Sequence, residues 1–308
     1  MPLEWCRGSH STDVTARPPS ITGGATARVN QMISLAARLG YDDDARLLIL
    51  SCDNLGVCHS TNEAVYAAMR GGLATSASLM VPAPWAREAA SGYRGADVGV
   101  HLTLNAEHPT YRWGSITLAP SLRDGMGGFP STAHDLWEHA DLDEARRECR
   151  AQIERAVLWG FDITHLDSHL DALVLRPEFF DIYMDMAVDF ALPVRLGNAS
   201  DEHNAGFAFR RLAAEEGILN PDHVVHLRPE NRRATVEKAL FNLGPGVTEL
   251  VFQPAIDTPE IRALTANWSC RVEDHHMLTN EAAIRDLVER SGATLISYEQ
   301  LKVAQRAG

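Results

Sequence analysis

Residues 47–56 read Leu47-Leu48-Ile49-Leu50-Ser51-Cys52-Asp53-Asn54-Leu55-Gly56. Four aliphatic residues in a row leave no polar face, so the segment has to be covered on both sides. A short, unbroken apolar run of this kind fits a strand of a parallel sheet with helices packed on both faces. Asp53 and Asn54 then stand at the C-terminal end of the run, where ligands bind in parallel α/β folds.

Seven further runs share the character of Leu47–Cys52: Ser76–Val81, Val98–Leu104, Ile163–Leu166, Pro193–Leu196, Val224–Leu227, Glu249–Phe252 and Thr294–Ser297. Amphipathic stretches lie between most of them. Ser60 opens one, with Glu63 at the capping-box spacing. Ala145, Cys149, Ile153, Ala156 and Val157 recur at helical spacing in another. Pro177–Ala191 starts with proline in the first turn, where its missing N–H costs nothing. Thr279–Ser291 runs up to Gly292, a natural C-cap. About eight buried strands alternating with helices predict an α/β fold, a distorted TIM-like barrel of mostly parallel strands. An open doubly wound sheet is the alternative.

The domain expectation is a flexible N-terminal arm over 1–28, rich in Ser, Thr, Pro, Gly and Arg, and one barrel-like domain over 29–308. A helical pattern begins near Val29 and places Met32, Ile33, Ala36 and Leu39 on one face. The longest interruption, about 107–142, is too long for a plain connection and reads as a lid or insertion over the site.

The chain of 308 residues is 45% hydrophobic, enough for a sizeable core, and carries a formal net charge of −13. Such a surface repels phosphate backbones, so nucleic acid is not an expected partner. No apolar run approaches the roughly 20 residues that span a bilayer, and no basic-then-apolar leader opens the sequence. These features predict a cytoplasmic protein with a small-molecule substrate and no membrane partner. Apolar surface on the late helices allows a homodimer. The five cysteines are odd in number, scattered and without a CxxC pair. That argues for reduced thiols over a disulfide framework or zinc knuckle. Cys52 and Cys58 flank the candidate site; they read as small apolar fillers, with a nucleophilic role as the alternative.

The polar residues at predicted strand ends are Asp53 and Asn54, His101, the group His165, Asp167, Ser168, His169 and Asp171, then Arg195, then Gln253. A lone histidine at a strand end is ordinarily a hydrogen-bonded structural residue, and an Asp before Asn and Gly is ordinarily a turn or cap. Four strands carrying such residues to one rim make a site. Two imidazoles and an oxygen ligand leave open positions on a divalent metal. Such a metal acidifies water and polarises a carbonyl, and a carboxylate such as Asp53 would accept the proton.

These residues resemble the YdjC-like (ChbG/HpnK) carbohydrate deacetylases, from about Leu39 to the end. The resemblance rests on Asp53-Asn54-Leu55-Gly56 with Asn62, Gly71 through Met80, Gly99-Val100-His101-Leu102, Thr164-His165-Leu166-Asp167-Ser168-His169, and Gly246-Val247-Thr248-Glu249-Leu250. It implies a distorted TIM-like barrel and removal of an acetyl group from an amino sugar. It further implies Asp53 as the base and Asn54, His101 and His169 as holders of one divalent ion, which could be zinc, nickel, cobalt, iron or magnesium. Three positions depart from the family pattern. Asn54 replaces the second Asp of an Asp-Asp pair, Asp171 replaces the second His of Asp-Ser-His-x-His, and Gln253 replaces the His of a late His-Pro that would protonate the leaving group.

The expected site is therefore Asp53 and Gln253 as catalytic residues, Asn54, His101 and His169 at the metal, and Asp167, Arg195 and Trp113 at the substrate. Trp85 is a further candidate for stacking on a ring. The leading reading is a metal-dependent hydrolase acting on an N-acetylated sugar. Two alternatives follow from the departures. One is a metallohydrolase repurposed for another bond, such as C–C beside a carbonyl. The other is a non-catalytic binding protein on the same fold.

Overall fold

The computed structural model describes residues 33–307. The arm expected over 1–28, and the Val29 and Met32 positions of the first helical pattern, lie outside the described residues. The described part of that pattern is the helix Leu35–Arg38, capped by Ser34 Oγ, which accepts from the Ala37 N–H. Among the described residues no helix is long and apolar enough to cross a membrane.

Seven strands form one sheet: β1 (Arg46–Leu55), β2 (Ser76–Leu79), β3 (Val98–Leu102), β4 (Ile163–Ser168), β5 (His223–His226), β6 (Gly246–Phe252) and β7 (Thr294–Leu295). Their order is β4-β3-β2-β1-β6-β5, with β7 beside the first half of β1, and every pairing is parallel. Leu47–Leu50 are buried throughout, as strands covered on both faces require. The sheet curls into a half-barrel ringed by helices, which meets the expectation of a barrel-like parallel fold.

One of the eight predicted strands, the fifth, differs. Pro193–Leu196 is reduced to a bridge between Val194 and Leu166. Proline offers no N–H to a ladder, and the chain turns into the helix Ala199–Ala205 directly afterwards. The gap from this segment to β5 is spanned by a side chain. Asn198 Nδ2 donates to the Val224 carbonyl (2.7 Å), and its Oδ1 accepts from the Val224 N–H (2.9 Å).

Helix bounds follow local chemistry. The helix His59–Gly71 starts one residue before Ser60, and the Cys58 N–H donates to Thr61 Oγ1 (3.1 Å). Ser60 turns instead to Glu260 and Thr258. In Leu142–Leu158, Ala145, Cys149, Ile153 and Ala156 are buried, while Val157 is 52% exposed. Three steps of four residues carry position 157 about 120° round the axis from Ala145 at 3.6 residues per turn. The helix Pro177–Phe190 has the expected proline start. The helix expected over Thr279–Ser291 is the shorter Ala282–Arg290, which runs up to Ser291 and Gly292, while Thr279 ends a preceding helix, Trp268–Thr279.

The 107–142 stretch is pinned in place. Arg112 donates to the Ala106 and Phe129 carbonyls and to Asp124. The buried Glu148 carboxylate accepts from the N–H groups of Ile116 and Thr117. Its Trp113 is buried, with Nε1 donating to the Asn105 carbonyl (2.7 Å).

Candidate active site

β1 does not stop at Cys52. It continues through Asp53 and Asn54 to Leu55, and its register against β2 shifts between Cys52 and Leu55. Asn54 sits at φ 70°, in the left-handed region. Leu170 and Asp171, just past His169, are at φ 53° and 52°. Non-glycine residues enter this region at a cost, and such costs concentrate at functional sites. Three of the four described non-glycine residues with positive φ therefore sit at the ends of the two strands that carry the candidate site; the fourth is Ala191.

Alternation along the strands turns Asp53, His101, Asp167 and Glu249 towards one buried centre. Arg195 occupies it. Its Nε donates to Glu249 Oε1 (3.0 Å), NH1 to Asp53 Oδ1 (2.9 Å) and Asp167 Oδ2 (2.6 Å), and NH2 to Ser51 Oγ (3.0 Å) and Glu249 Oε1 (2.7 Å). All five N–H donors of the guanidinium are engaged inside the protein. Tyr298 donates to Glu249 Oε2 (2.7 Å). Ser78 Oγ lies 3.0 Å from Asp167 Oδ2 and 3.3 Å from Asp53 Oδ1. Burial raises the carboxyls of Asp167 and Glu249, but the charges of His101 and Arg195 at Asp167, and of Arg195 at Glu249, prevail and hold both below the usual range. Arg195 and Asp167 thus underlie the site, their charges matched by protein groups.

The histidines stand at the rim above this centre. His101 Nδ1 bonds Asp167 Oδ2 (2.6 Å), and His169 Nε2 bonds Glu107 Oε2 (2.9 Å). A carboxylate only accepts, so each of these ring nitrogens carries the hydrogen. The remaining nitrogens, His101 Nε2 and His169 Nδ1, then present lone pairs to each other at 3.0 Å. Two facing acceptors at that distance need a cation between them, a proton or a metal ion. Carboxylates behind histidine ligands are the usual second layer of a metal centre. Asn54 Oδ1 is buried and has no hydrogen-bond partner, as does Asp167 Oδ1. Histidine nitrogens and an amide oxygen form a donor set that suits a divalent ion. Asp53, His101 and Asp167 also lie close enough together to hold an ion, but the Arg195 guanidinium already supplies the positive charge there.

Glu107 was not found from sequence. Burial raises its carboxyl, yet the hydrogen bond and charge of His169 prevail and hold it at about 2. Its one sequence signal is its position at the start of the long 107–142 stretch, six residues past His101. Burial, countered by the Asp167 carboxylate, leaves the His101 imidazole raised. His165, the nearby histidine, is different in kind. It is fully buried, stacked on Tyr298 at 3.8 Å, and lowered by burial. Gly99 makes room for it, since a Cβ there would fall 2.5 Å from the imidazole ring.

Trp113 meets His169 edge-on at 6.4 Å between centroids, so the 107–142 stretch walls the rim. Trp85 lies apart, 5.4 Å from His59. Gln253 is half-buried, and its backbone N–H donates to Asp274 (2.7 Å). Cys52, Cys58, Cys149 and Cys270 are free thiols, and burial raises that of Cys52 well above the ordinary value.

Fold and site together define a class: a parallel α/β half-barrel with a carboxylate-backed histidine pair at the C-terminal ends of its strands. The model of the family described as YdjC-like protein matches residues 47–289, and the chain belongs to that family. The chain is 36% identical over 264 residues to a carbohydrate deacetylase of Thermus thermophilus, covering 83% of this chain and 95% of that protein. It is 31% identical over 236 residues to a chitooligosaccharide deacetylase of Yersinia pestis, covering 67% and 89%. A crystal structure of an Enterococcus faecalis protein, assigned by name to cellobiose-phosphate cleavage, superposes with a TM-score of 0.73 at 22% identity, over 83% of this chain and 99% of that one. That likeness bears on the fold.

Proposed function

We propose that this protein is a metal-dependent amide hydrolase that removes an acetyl group from an N-acetylated sugar. The observation that carries the reading is the pair of ring nitrogens, His101 Nε2 and His169 Nδ1, facing each other at 3.0 Å with a carboxylate behind each ring. Asn54, His101 and His169 would hold one divalent ion. Zinc, nickel, cobalt, iron and magnesium all suit such donors. The names of the relatives in Thermus thermophilus and Yersinia pestis support the substrate class.

The bound ion supplies a Lewis acid for the acyl carbonyl and makes water acidic near neutral pH. The residues of the chain do the rest. Asp53 accepts the proton of the attacking water, and Arg195 NH1 holds its carboxylate in place. Asp167 fixes the His101 tautomer, and Glu107 fixes that of His169. In this reading Asp167 and Arg195 act on substrate through the groups they position, and Trp113 supplies an apolar wall. Gln253 orients the leaving nitrogen by hydrogen bonding but is no acid, so the proton that Asp53 takes from water has to pass to that nitrogen as the C–N bond breaks. That last point favours a second reading, cleavage of a bond whose leaving group needs no acid, such as C–C beside a carbonyl.

The test is elemental analysis of protein purified without chelator, followed by acetate release from a panel of N-acetyl sugars. Stoichiometric metal that is lost in His101→Ala, with release abolished in Asp53→Ala, is expected. Metal-free protein that His101→Ala leaves unchanged would sink both readings. Metal-loaded protein with no acetate release on any sugar would favour the second.

A further inference from the structure

The cation expected at the substrate, Arg195, has every donor engaged inside the protein. A second guanidinium stands at the rim with none engaged. Arg271 belongs to the helix Trp268–Thr279, three residues before the buried Asp274 and seven before the buried Leu278, so it shares their inward face. Its carbonyl accepts from the Ala255 N–H (3.0 Å), and Asp274 accepts from the Gln253 N–H (2.7 Å). That face of the helix is thus stitched to the segment that follows β6 and carries Gln253. From there the Arg271 charge reaches Glu107 and His108, at the start of the 107–142 stretch, and Cys58, just after β1. Glu107 is bonded to His169, so Arg271 borders the candidate site.

Arg271 is half-buried, and no hydrogen bond or ion pair of its side chain is found among the described residues. Every other described arginine that is not exposed holds a carboxylate or a carbonyl. The carboxylates around Arg271 are taken. Glu107 bonds His169 through Oε2 and lies 3.4 Å from His108 through Oε1, and Asp274 holds Arg232. Burial pulls the Arg271 guanidinium below its ordinary value, and the Glu107 charge only partly restores it. A guanidinium nevertheless stays charged. A charge taken from water without a partner favours a ligand that brings the partner.

The form of that ligand follows from the charges. Arg232 is matched by Asp274 and His108 stands against Glu107, which leaves one unmatched positive charge. A planar fork of donors bearing one charge fits a carboxylate, whereas a phosphate monoester brings a charge of about −1.5 to −2. The net charge of −13 adds to the repulsion of a dianion. We infer that Arg271 binds a carboxylate on the substrate, so that the preferred substrates are acidic sugars that carry the acyl group elsewhere on the molecule.

The inference rests on the proposed function only for placing a sugar at this rim. It is tested by binding to the metal-loaded full chain, with calorimetry as the readout. The probes are glucuronic acid against glucose and muramic acid against glucosamine, none of which has an acetyl group to lose. At least one acidic sugar should bind about tenfold more tightly than its neutral counterpart, and raising the salt concentration should shrink the difference. Arg271→Gln should erase the difference, and the fold should survive because the side chain makes no internal bond. Equal binding within both pairs would overturn the inference, and so would a difference that salt leaves unchanged. A preference that Arg271→Gln retains would overturn it too, by placing the carboxylate on another group such as the metal. Tighter binding of glucose 6-phosphate than of either acidic sugar would overturn the choice of a carboxylate. Failure to release acetate would sink the proposed function and leave this binding result standing.

Discussion

Two charged layers lie along the strand direction inside the sheet. In the lower one, Arg195 meets Asp53, Asp167, Glu249 and Ser51, and Tyr298 completes Glu249. The guanidinium there has a partner for every donor. In the upper one, His101 and His169 present lone pairs to each other, and Asn54 Oδ1 has no partner. Both layers are buried, so both bear the full cost of taking polar groups from water. The lower layer meets that cost with protein groups alone. The upper layer needs one cation between its two ring nitrogens, a proton or a metal ion. A satisfied network holds a shape, and an unsatisfied one beside it marks where a ligand belongs.

The comparison predicts different losses in the two layers. Arg195→Ala should be the most damaging change, because it strands three buried carboxylates. Urea unfolding should show about 3–5 kcal/mol of lost stability, whatever metal is present. A loss below about 1 kcal/mol would mean that the lower layer is not the foundation described. Asp53→Asn should act on rate, lowering acetate release by about 10²–10⁴-fold with metal content unchanged. Metal lost in that variant would move Asp53 from base to ligand. Glu107→Gln should weaken metal affinity by about 10–100-fold, because His169 exchanges a charged carboxylate acceptor for a neutral amide oxygen that fixes its tautomer more weakly. An unchanged affinity in a chelator competition would remove Glu107 from the centre. Asn54→Asp should give the smallest effect, a tightening of metal binding by less than about tenfold from the added charge. No tightening would place Asn54 outside the ligand set.

Much of the frame was legible in the sequence, because parallel strands buried on both faces advertise themselves as unbroken apolar runs. Asp53, Asn54, His101 and His169 were legible because each follows or ends such a run. Glu107, Ser78, Glu249 and Tyr298 were not assigned roles, since pairing across 62 residues to His169, or 54 to Arg195, leaves no local pattern. Arg195 was visible as a strand-end cation, but its five engaged donors were not, so it read as facing a ligand. Gly99 was visible as part of a motif. Its reason, the ring of His165 lying where a Cβ would go, needs two strands side by side. The strand expected at Pro193–Leu196 shrank to a bridge because a run of apolar residues does not reveal where its N–H groups turn: Arg195 donates to Leu166 of β4, but Val194 donates to the Leu219 carbonyl outside any strand.

That shortened strand has a consequence for motion. The ring of main-chain ladders is interrupted between Val194 and β5; the clasp on β5 itself is the Asn198 carboxamide, and Arg210 ties the Gly197 carbonyl to that of Pro221 just before the strand. A clasp of two side-chain bonds opens at lower free energy than a ladder, which must lose many bonds together. Breathing of the half-barrel should concentrate at this seam. Hydrogen exchange at the Val224 amide should then report the opening of the clasp and not the unfolding of the sheet.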